Sequence, residues 1–360
     1  MAGRELTPNE ERFIKELGLD RDAFLGVRFT RGEHGISRSD PYFLVERTSL
    51  ALDQPVAPQI HGLELSRNFR FGNHMVALSQ ILFIAQKLNI PQVFLPEHPL
   101  FRTDFVVEGV RFTQSLPADH QSTLRGRFFL RHTFEPLLDG VFRPAEFFHR
   151  FRGAILPLSG DGALDALRVN SKLCWRSIVK RFSNELTVHI RSGDIFEKEN
   201  PHPGYWQPPL DYYTEAIDQE NPRTVTLVFE NTANPVIPPL LEWLNLRDIQ
   251  YRLADGPIEE AIRELFTARK VVAGRGSFLA PVMALSGSLR KLTAFSDNRY
   301  FDLPQMKDMH AGRKEKIRLT VVPAGDYRPL VSPWRNSLDQ RDLMLRYKLS
   351  SDQKAALRAK

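Results

Sequence analysis

The sequence predicts an α/β protein with a parallel, Rossmann-like sheet in its carboxy-terminal half. From Leu186 onward, continuous apolar runs of strand length alternate with segments of helical periodicity. Such runs are typical of strands that are buried on both faces, as in parallel sheets covered by helices. The chain has 360 residues, which is enough for about two domains, each with its own core.

The predicted elements of the amino-terminal half begin late. Apolar positions after Gly72 cover almost the whole circumference of a helix, so this helix is expected to be buried on most sides. Asn89 and Pro91 end it, and residues 92–95 form a predicted strand. Residues 7–25 have the pattern of a charged amphipathic helix, whereas residues 98–168 show no clear period.

The carboxy-terminal half is more regular. Its predicted strands are 186–190, 224–229, 251–254, 270–273 and 292–295, and helices begin near Leu210, Val236, Ile258 and Phe278. Asp255 is the predicted N-cap of the helix near Ile258, with Glu259 and Glu260 in the first turn. The change of pattern predicts an amino-terminal domain at 1–169, a Rossmann-like domain at 170–331 and a terminal helix or tail at 332–360.

Composition limits the classes of partner and compartment. Lys and Arg together number 49 and Asp and Glu 43, a net charge of +6, which favours an anionic partner without identifying it. The basic residues are dispersed, so nucleic acid is not expected as a partner. The single cysteine, Cys174, excludes an intrachain disulfide and is expected to be a buried, inert thiol. Because no apolar run is long enough to span a bilayer, we expect a cytoplasmic protein without a transmembrane segment.

Ligands of open parallel sheets bind at the carboxyl ends of the strands, so the loops that follow the predicted strands are the candidate binding sites. His189 and Arg191 alternate at the end of the first strand and should point to the same face. The guanidinium offers a fork of donors that suits phosphate oxygens. Asp194 could orient Arg191 or cap the turn that Gly193 allows. The alternative is a purely structural Arg–Asp pair.

A second candidate loop follows the strand at 270–273. Gly274 and Gly276 let backbone N–H groups approach an anion, Ser277 adds a hydroxyl, and a helix begins near Phe278. The loop is neither a dinucleotide fingerprint, because Leu279 stands at the third glycine position, nor a Walker loop. A glycine-containing turn of this kind is also common without a ligand.

Four segments occur together in a characteristic order: 71–73 (Phe-Gly-Asn), 188–194 (Val-His-Ile-Arg-Ser-Gly-Asp), 205–213 (Tyr-Trp-Gln-Pro-Pro-Leu-Asp-Tyr-Tyr) and 276–278 (Gly-Ser-Phe). In this combination the chain resembles the GDP-fucose-dependent fucosyltransferase superfamily, which includes the α-1,2-, α-1,6- and protein O-fucosyltransferases. The α-1,2 pattern is the most similar. The resemblance covers residues 72 to 295, and its most specific part is the His-x-Arg segment with its sequel.

The resemblance implies a GT-B architecture, in which two Rossmann-like domains face each other across a cleft. It implies an inverting transfer of fucose from GDP-fucose to an acceptor hydroxyl of a glycan or glycoconjugate. The amino-terminal domain would lie on the acceptor side, where the irregular region 98–168 would shape the acceptor site. The resemblance also implies that no metal or other cofactor is required, which is compatible with the physics, since arginine, backbone N–H groups and a helix dipole can stabilise a leaving diphosphate as a divalent cation does.

The family's functional residues carry over by position. Arg191 resembles the arginine that holds the donor diphosphate, and His189 the histidine beside it. The remaining donor-binding positions are Ser277 and Phe278 at the diphosphate, Asp255 at the guanine edge and Asn73 lining the cleft. Asp194 is a candidate base by proximity, so Arg191 and Asp194 are the predicted catalytic residues.

One position departs from the family pattern. Ser192 stands where the family has a second arginine, which removes a positive charge from the donor side; Arg275 and Arg70 are candidates to replace it. Three alternatives therefore stay open at this point. They are a transferase of the same fold with another nucleotide sugar, a non-catalytic binder of an anionic polymer, and a degenerate transferase that serves as a scaffold.

Overall fold

The computed structural model describes residues 27–28, 42–45, 61–66, 68–87, 90–117, 123–130, 148–156, 184–199, 201–296 and 317–359. The chain divides into two compact units, Met1–Ser159 and Gly160–Lys360. The predicted helix at 7–25 and Cys174 lie outside the described residues.

The described part of the amino-terminal unit contains a seven-stranded sheet of order β1-β2-β7-β3-β4-β6-β5. Its elements are β1 (Val27–Arg28), β2 (Tyr42–Val45), β3 (Gly62–Leu65), α1 (Phe71–Lys87), β4 (Gln92–Phe94), β5 (Asp104–Val107), β6 (Val110–Thr113) and β7 (Thr123–Leu130). The β1–β2 and β5–β6 pairs are antiparallel, and the other pairs are parallel. Counted from β3, the strands β6-β4-β3-β7 have the 3-2-1-4 order of a Rossmann sheet, and the strand order reverses between β3 and β7.

Helix α1 confirms the prediction of a helix buried on most sides. Met75, Leu78, Ile81 and Leu82 are fully buried, whereas Asn73 in the first turn is exposed. The predicted strand at 92–95 is β4. The region without a clear period contains β5, β6 and β7 and a 3-10 turn at His149–Ala154.

The described part of the carboxy-terminal unit contains a six-stranded sheet in which every pair is parallel. The strands are β8 (Glu185–His189), β9 (Thr224–Val228), β10 (Gln250–Ala254), β11 (Lys270–Ala273), β12 (Lys291–Ser296) and β13 (Arg318–Pro323), in the order β10-β9-β8-β11-β12-β13. This is the 3-2-1-4-5-6 order of a Rossmann fold counted from β8. The order reverses between β8 and β11, and ligands of such sheets bind in the crevice at that point.

Helices connect these strands and continue after them. They are α2 (Asp194–Glu197), α3 (Leu210–Glu220), α4 (Ile237–Leu246), α5 (Ile258–Thr267), α6 (Leu279–Leu285), α7 (Tyr327–Val331), α8 (Leu338–Arg346) and α9 (Ser351–Arg358). All the strands and helices predicted after residue 186 are present, with small shifts of their ends. None of the described helices is long and apolar enough to cross a membrane.

The structure corrects two expectations about this unit. Asp255 is not the N-cap of α5, because Pro257 occupies that position and provides no side-chain cap. Strand β10 is not buried along its length, because it is the edge strand and most of its side chains are exposed. Strand β13 was not predicted.

The segment 332–359 packs into the core of the carboxy-terminal unit. Trp334, Met344 and Leu357 are buried in the same cluster as the strands β8 and β9. Helices α8 and α9 each begin with a capping box, at Ser337–Gln340 and Ser350–Gln353. The prediction of a charged terminal helix or tail thus corresponds to two capped helices that cover the core.

Candidate functional site

His189 and Arg191 lie at the carboxyl end of β8, on the crevice where the strand order reverses. The His189 ring is 4% exposed and lies 5.7 Å from the Phe278 ring, centroid to centroid. Burial, followed by the nearby Arg191 charge, lowers the pKa of His189 to about 3. The imidazole is therefore neutral at physiological pH, and the fixed positive charge of this strand end is on Arg191.

Arg191 is held in a defined orientation by Asp194. The Nη2 group donates to Oδ1 of Asp194 at 2.7 Å, with the two side chains 17% and 16% exposed. The arginine stem packs along Gly276, where a Cβ would lie 3.7 Å from Cδ of Arg191. A half-buried guanidinium in a fixed position can bind an anion without losing much side-chain entropy.

The β11–α6 loop forms the other side of the crevice. Gly274 is required by close approach, because a Cβ there would lie 2.8 Å from the His189 carbonyl oxygen and 3.0 Å from the Arg191 nitrogen. Gly276 has a φ of 152°, which side chains rarely adopt. Ser277 and Phe278 are half-buried in the same loop. The structure thus brings together five of the predicted residues: His189, Arg191, Asp194, Ser277 and Phe278.

Two predicted residues lie elsewhere. Asp255 is exposed at the carboxyl end of β10, on the same edge of the sheet but with β9 between β10 and β8. The distance along the edge is therefore about 10 Å at the usual strand spacing. Asn73 is exposed in the first turn of α1, in the amino-terminal unit.

Ser192 is part of a buried hydrogen-bond network rather than of the candidate anion-binding face. The side chain is 1% exposed, and its hydroxyl donates to Oδ1 of Asn231 at 2.7 Å and accepts from the Asn234 N–H at 3.0 Å. Asn234 also donates from Nδ2 to the Arg191 carbonyl at 2.8 Å. This network joins the loop after β8 to the loop after β9. Sequence reasoning missed both asparagines, although two amide side chains directly after a strand were a usable signal.

The motif at 205–213 is a packing element rather than a row of ligand contacts. Tyr212 and Tyr213 are fully buried under the sheet, and the Tyr212 hydroxyl donates to the carbonyls of Ala273 and Thr293 at 3.2 and 3.0 Å. Asp211 accepts from Nζ of Lys348 and from the Leu349 N–H, both at 2.9 Å. The motif therefore contacts the end of β11 and the middle of β12 and anchors the chain before α9.

The amino-terminal unit has a different cluster after its own strand β3. His74, fully buried in α1, lies 4.4 Å from the His98 ring and 5.0 Å from the Phe101 ring, centroid to centroid. Its two ring nitrogens have no hydrogen-bond partner among the described residues. Burial, then the neighbouring His98, lowers the pKa of His74 to about 3. The cluster that follows β3 therefore consists of uncharged rings, those of His74, His98 and Phe101.

Among the described residues, no group of three or more His, Cys, Asp or Glu side chains is arranged to hold a metal ion. The sequence also contains an Asp-Arg-Asp segment at residues 20–22, a pattern that can bind a metal ion, and it lies outside the described residues. The expected independence of a metal stays a prediction.

No protein-family model and no curated protein sequence matches the chain. Among solved structures, POFUT1 in complex with GDP-fucose matches with a TM-score of 0.38 and 13% identity, over 75% of this chain and 99% of that chain. A second crystal form of that complex gives 0.36 and 12%, over 73% and 98%. A point mutant of Arabidopsis thaliana FUT1 with GDP gives 0.36 and 10%, over 73% and 70%. Similarity at this level transfers no function, so the chemistry of the site follows from its own residues.

Proposed function

We propose that the chain is a glycosyltransferase whose carboxy-terminal unit binds the diphosphate of a nucleotide sugar between β8 and β11. The donor we propose is GDP-fucose, and the reaction an inverting transfer without a metal ion or other cofactor. The position of Arg191 is the observation that supports this most directly. Its guanidinium stands where the strand order reverses, is oriented by Asp194 and faces a glycine-containing loop. A fixed fork of donors in such a crevice suits two phosphate oxygens.

In the proposed reaction, the acceptor hydroxyl oxygen attacks the anomeric carbon of fucose from the side opposite the nucleotide. The bond between this carbon and the β-phosphate oxygen breaks, and its electron pair leaves with GDP. The hydroxyl proton passes to a base or to solvent. Negative charge grows on the diphosphate in the transition state, where a preorganised cation and backbone N–H groups stabilise it.

The residues around Arg191 have separate proposed roles. Ser277 and backbone N–H groups from Gly276 onward in the β11–α6 loop would bind the diphosphate together with Arg191, since the N–H groups of Gly274 and Arg275 donate within the protein. His189 is neutral, so it supports the loop through Phe278 without adding charge. For Asp194 we favour the orienting role, because its carboxylate is engaged by Arg191 and lies 3.7 Å from Nζ of Lys198. Its role as a base stays a prediction.

The remaining assignments extend the proposal outward. A nucleotide that runs from the crevice along the sheet edge would bring its base towards Asp255, whose carboxylate can accept from guanine N–H groups. Asn73 remains a proposed donor-binding residue of the amino-terminal unit, and the acceptor a glycan or glycoconjugate. A cytoplasmic location also remains a prediction.

A thermal-shift screen tests the proposal. We expect GDP and GDP-fucose to raise the Tm in the presence of EDTA, and UDP, CMP and their sugars to have smaller effects. Mass spectrometry of candidate acceptors incubated with GDP-fucose then detects any transferred sugar. A larger shift with another nucleotide would favour a transferase with a different donor, and a strict metal requirement would contradict the proposed donor site. Salt-sensitive binding of an anionic polymer without any nucleotide shift would favour the non-catalytic alternative.

A further inference from the structure

Arg275 occupies the centre of the candidate phosphate-binding loop, but its side chain turns into the protein. It is 4% exposed. Its Nη1 group donates to the carbonyl oxygens of Gly204 and Trp206 at 3.0 and 3.3 Å. Its Cζ atom lies 3.6 Å from the centre of the Trp206 ring, within the range of a cation–π interaction. The guanidinium of Arg275 is thus bonded inside the carboxy-terminal unit. It therefore does not replace the family's second arginine, whose position is occupied by Ser192.

Gln207 adds a second link between this loop and the segment 205–207. The backbone N–H of Arg275 donates to Oε1 of Gln207 at 3.2 Å, and Nε2 of Gln207 donates to the Tyr205 and Trp206 carbonyls at 3.0 and 3.1 Å. The Gln207 carbonyl accepts from the buried hydroxyl of Tyr327 at 2.9 Å. The loop is therefore connected to the core through bonds from both the backbone and the side chain of Arg275.

A buried guanidinium is costly unless hydrogen bonds compensate its desolvation. A loop that needed only a tight turn could use a small residue at position 275. Position 275 is instead an arginine, directly before Gly276, which packs on the Arg191 stem, and two positions before Ser277. Its bonds fix the backbone that carries these residues.

We propose that Arg275 is a positioning residue for the nucleotide site. Together with Trp206 and Gln207, it holds the β11–α6 loop so that Gly276, Ser277 and Phe278 face Arg191. This proposal rests on the proposed function of the crevice. Because binding and catalysis depend on placement within about 1 Å, releasing the loop should weaken nucleotide binding even though Arg275 does not face the ligand.

Arg275→Met tests this in the full-length chain, because methionine keeps an apolar stem and removes the guanidinium. The matched control is Arg290→Met. Nη1 of Arg290 also donates to backbone carbonyls, those of Gly287, Ser288 and Leu289. Arg290 lies just before β12, at the amino ends of the strands and thus away from the crevice at their carboxyl ends. We expect Arg275→Met to raise the Kd for GDP about tenfold or more by calorimetry, and Arg290→Met to leave it within about twofold. Tryptophan emission should change in Arg275→Met only, because Trp206 loses the guanidinium. Arg275→Lys keeps the charge without the planar fork, so it should weaken GDP binding less than Arg275→Met. It is the test variant if Arg275→Met does not fold.

The outcomes separate this proposal from the one on which it rests. If the wild type does not bind GDP, the proposed function is wrong whatever the variants do. If the wild type binds GDP, equal affinity in Arg275→Met, or in Arg275→Lys where only that variant folds, overturns the positioning role alone. An equal loss of GDP affinity in Arg290→Met, at a similar loss of Tm, would also overturn it, since the effect would then follow general destabilisation.

Discussion

Each unit has a buried histidine associated with a parallel strand next to the point where strand order reverses, His189 at the end of β8 and His74 in the helix that follows β3, yet the two histidines have different neighbours. His74 follows β3 and lies against the rings of His98 and Phe101. His189 ends β8 beside Arg191. Burial lowers the pKa of both imidazoles to about 3, so both are neutral at physiological pH. The two strand ends therefore differ in charge through the neighbours of the histidines, because His189 has Arg191 beside it and His74 has aromatic rings.

Removal of the Arg191 guanidinium should have the largest effect. We expect Arg191→Ala to raise the Kd for GDP about 100-fold or more, because charge-assisted hydrogen bonds contribute about 1.5–3 kcal/mol each. Isothermal titration calorimetry measures the Kd directly. Arg191→Lys should recover part of the loss, since lysine keeps the charge but not the fork.

The control is the exposed pair of Arg111 and Asp104 in the amino-terminal unit, whose Nη2 and Oδ2 atoms are 2.6 Å apart. Arg111→Ala should leave GDP binding unchanged, and exposed, solvent-screened pairs of this kind contribute little to stability. Near-normal GDP binding by Arg191→Ala would contradict the proposed role of the β8 end.

Acid stability should show what the two histidines share. The folded-state pKa of each, about 3, lies below the usual 6.5, so the unfolded chain binds the proton more readily. Stability from this source is complete above about pH 6.5 and falls as the pH decreases towards 3. At pH 5 the loss should be about 2 kcal/mol for each histidine. We expect His74→Phe and His189→Phe each to reduce the slope of Tm against pH below 6.5.

GDP binding at pH 8 then separates the two histidines. His74→Phe should leave the Kd for GDP unchanged. His189→Phe should raise it several-fold, because the ring that supports Phe278 beside Arg191 is replaced. If both variants alter the Kd equally, the distinction between the two strand ends is wrong. An unchanged pH slope in both would contradict the buried neutral state.

Most of the carboxy-terminal sheet could be predicted, because continuous apolar runs between helical segments are typical of strands covered on both faces. Strand β13 was missed, since its side chains are only partly buried and give no such run. The pairing of Arg191 with Asp194 follows from their spacing along the chain. By contrast, the contacts of Ser192 with Asn231 and of Arg275 with Gln207 join residues 39 and 68 positions apart. Contacts of this kind depend on the tertiary fold, so local sequence patterns do not predict them.

Ser192 should affect GDP affinity less than Arg191 or His189, and it tests whether the departure from the family pattern matters for the donor. Its hydroxyl bridges Asn231 and Asn234, and Ser192→Ala should leave the buried Asn234 N–H without this acceptor at a cost of about 1–3 kcal/mol in unfolding free energy. Oδ1 of Asn231 still accepts from the backbone N–H groups of Gly193 and Ala233. In the amino-terminal unit, Ser79 is equally buried, but its hydroxyl donates only to the Met75 carbonyl within α1. Ser79→Ala should therefore cost less than about 0.5 kcal/mol. Denaturant unfolding of both variants compares these costs, and calorimetry should find GDP affinity nearly unchanged in Ser192→Ala. A gain of affinity in Ser192→Arg would contradict this view, because it would mean that an arginine at position 192 can leave the buried network and reach the diphosphate.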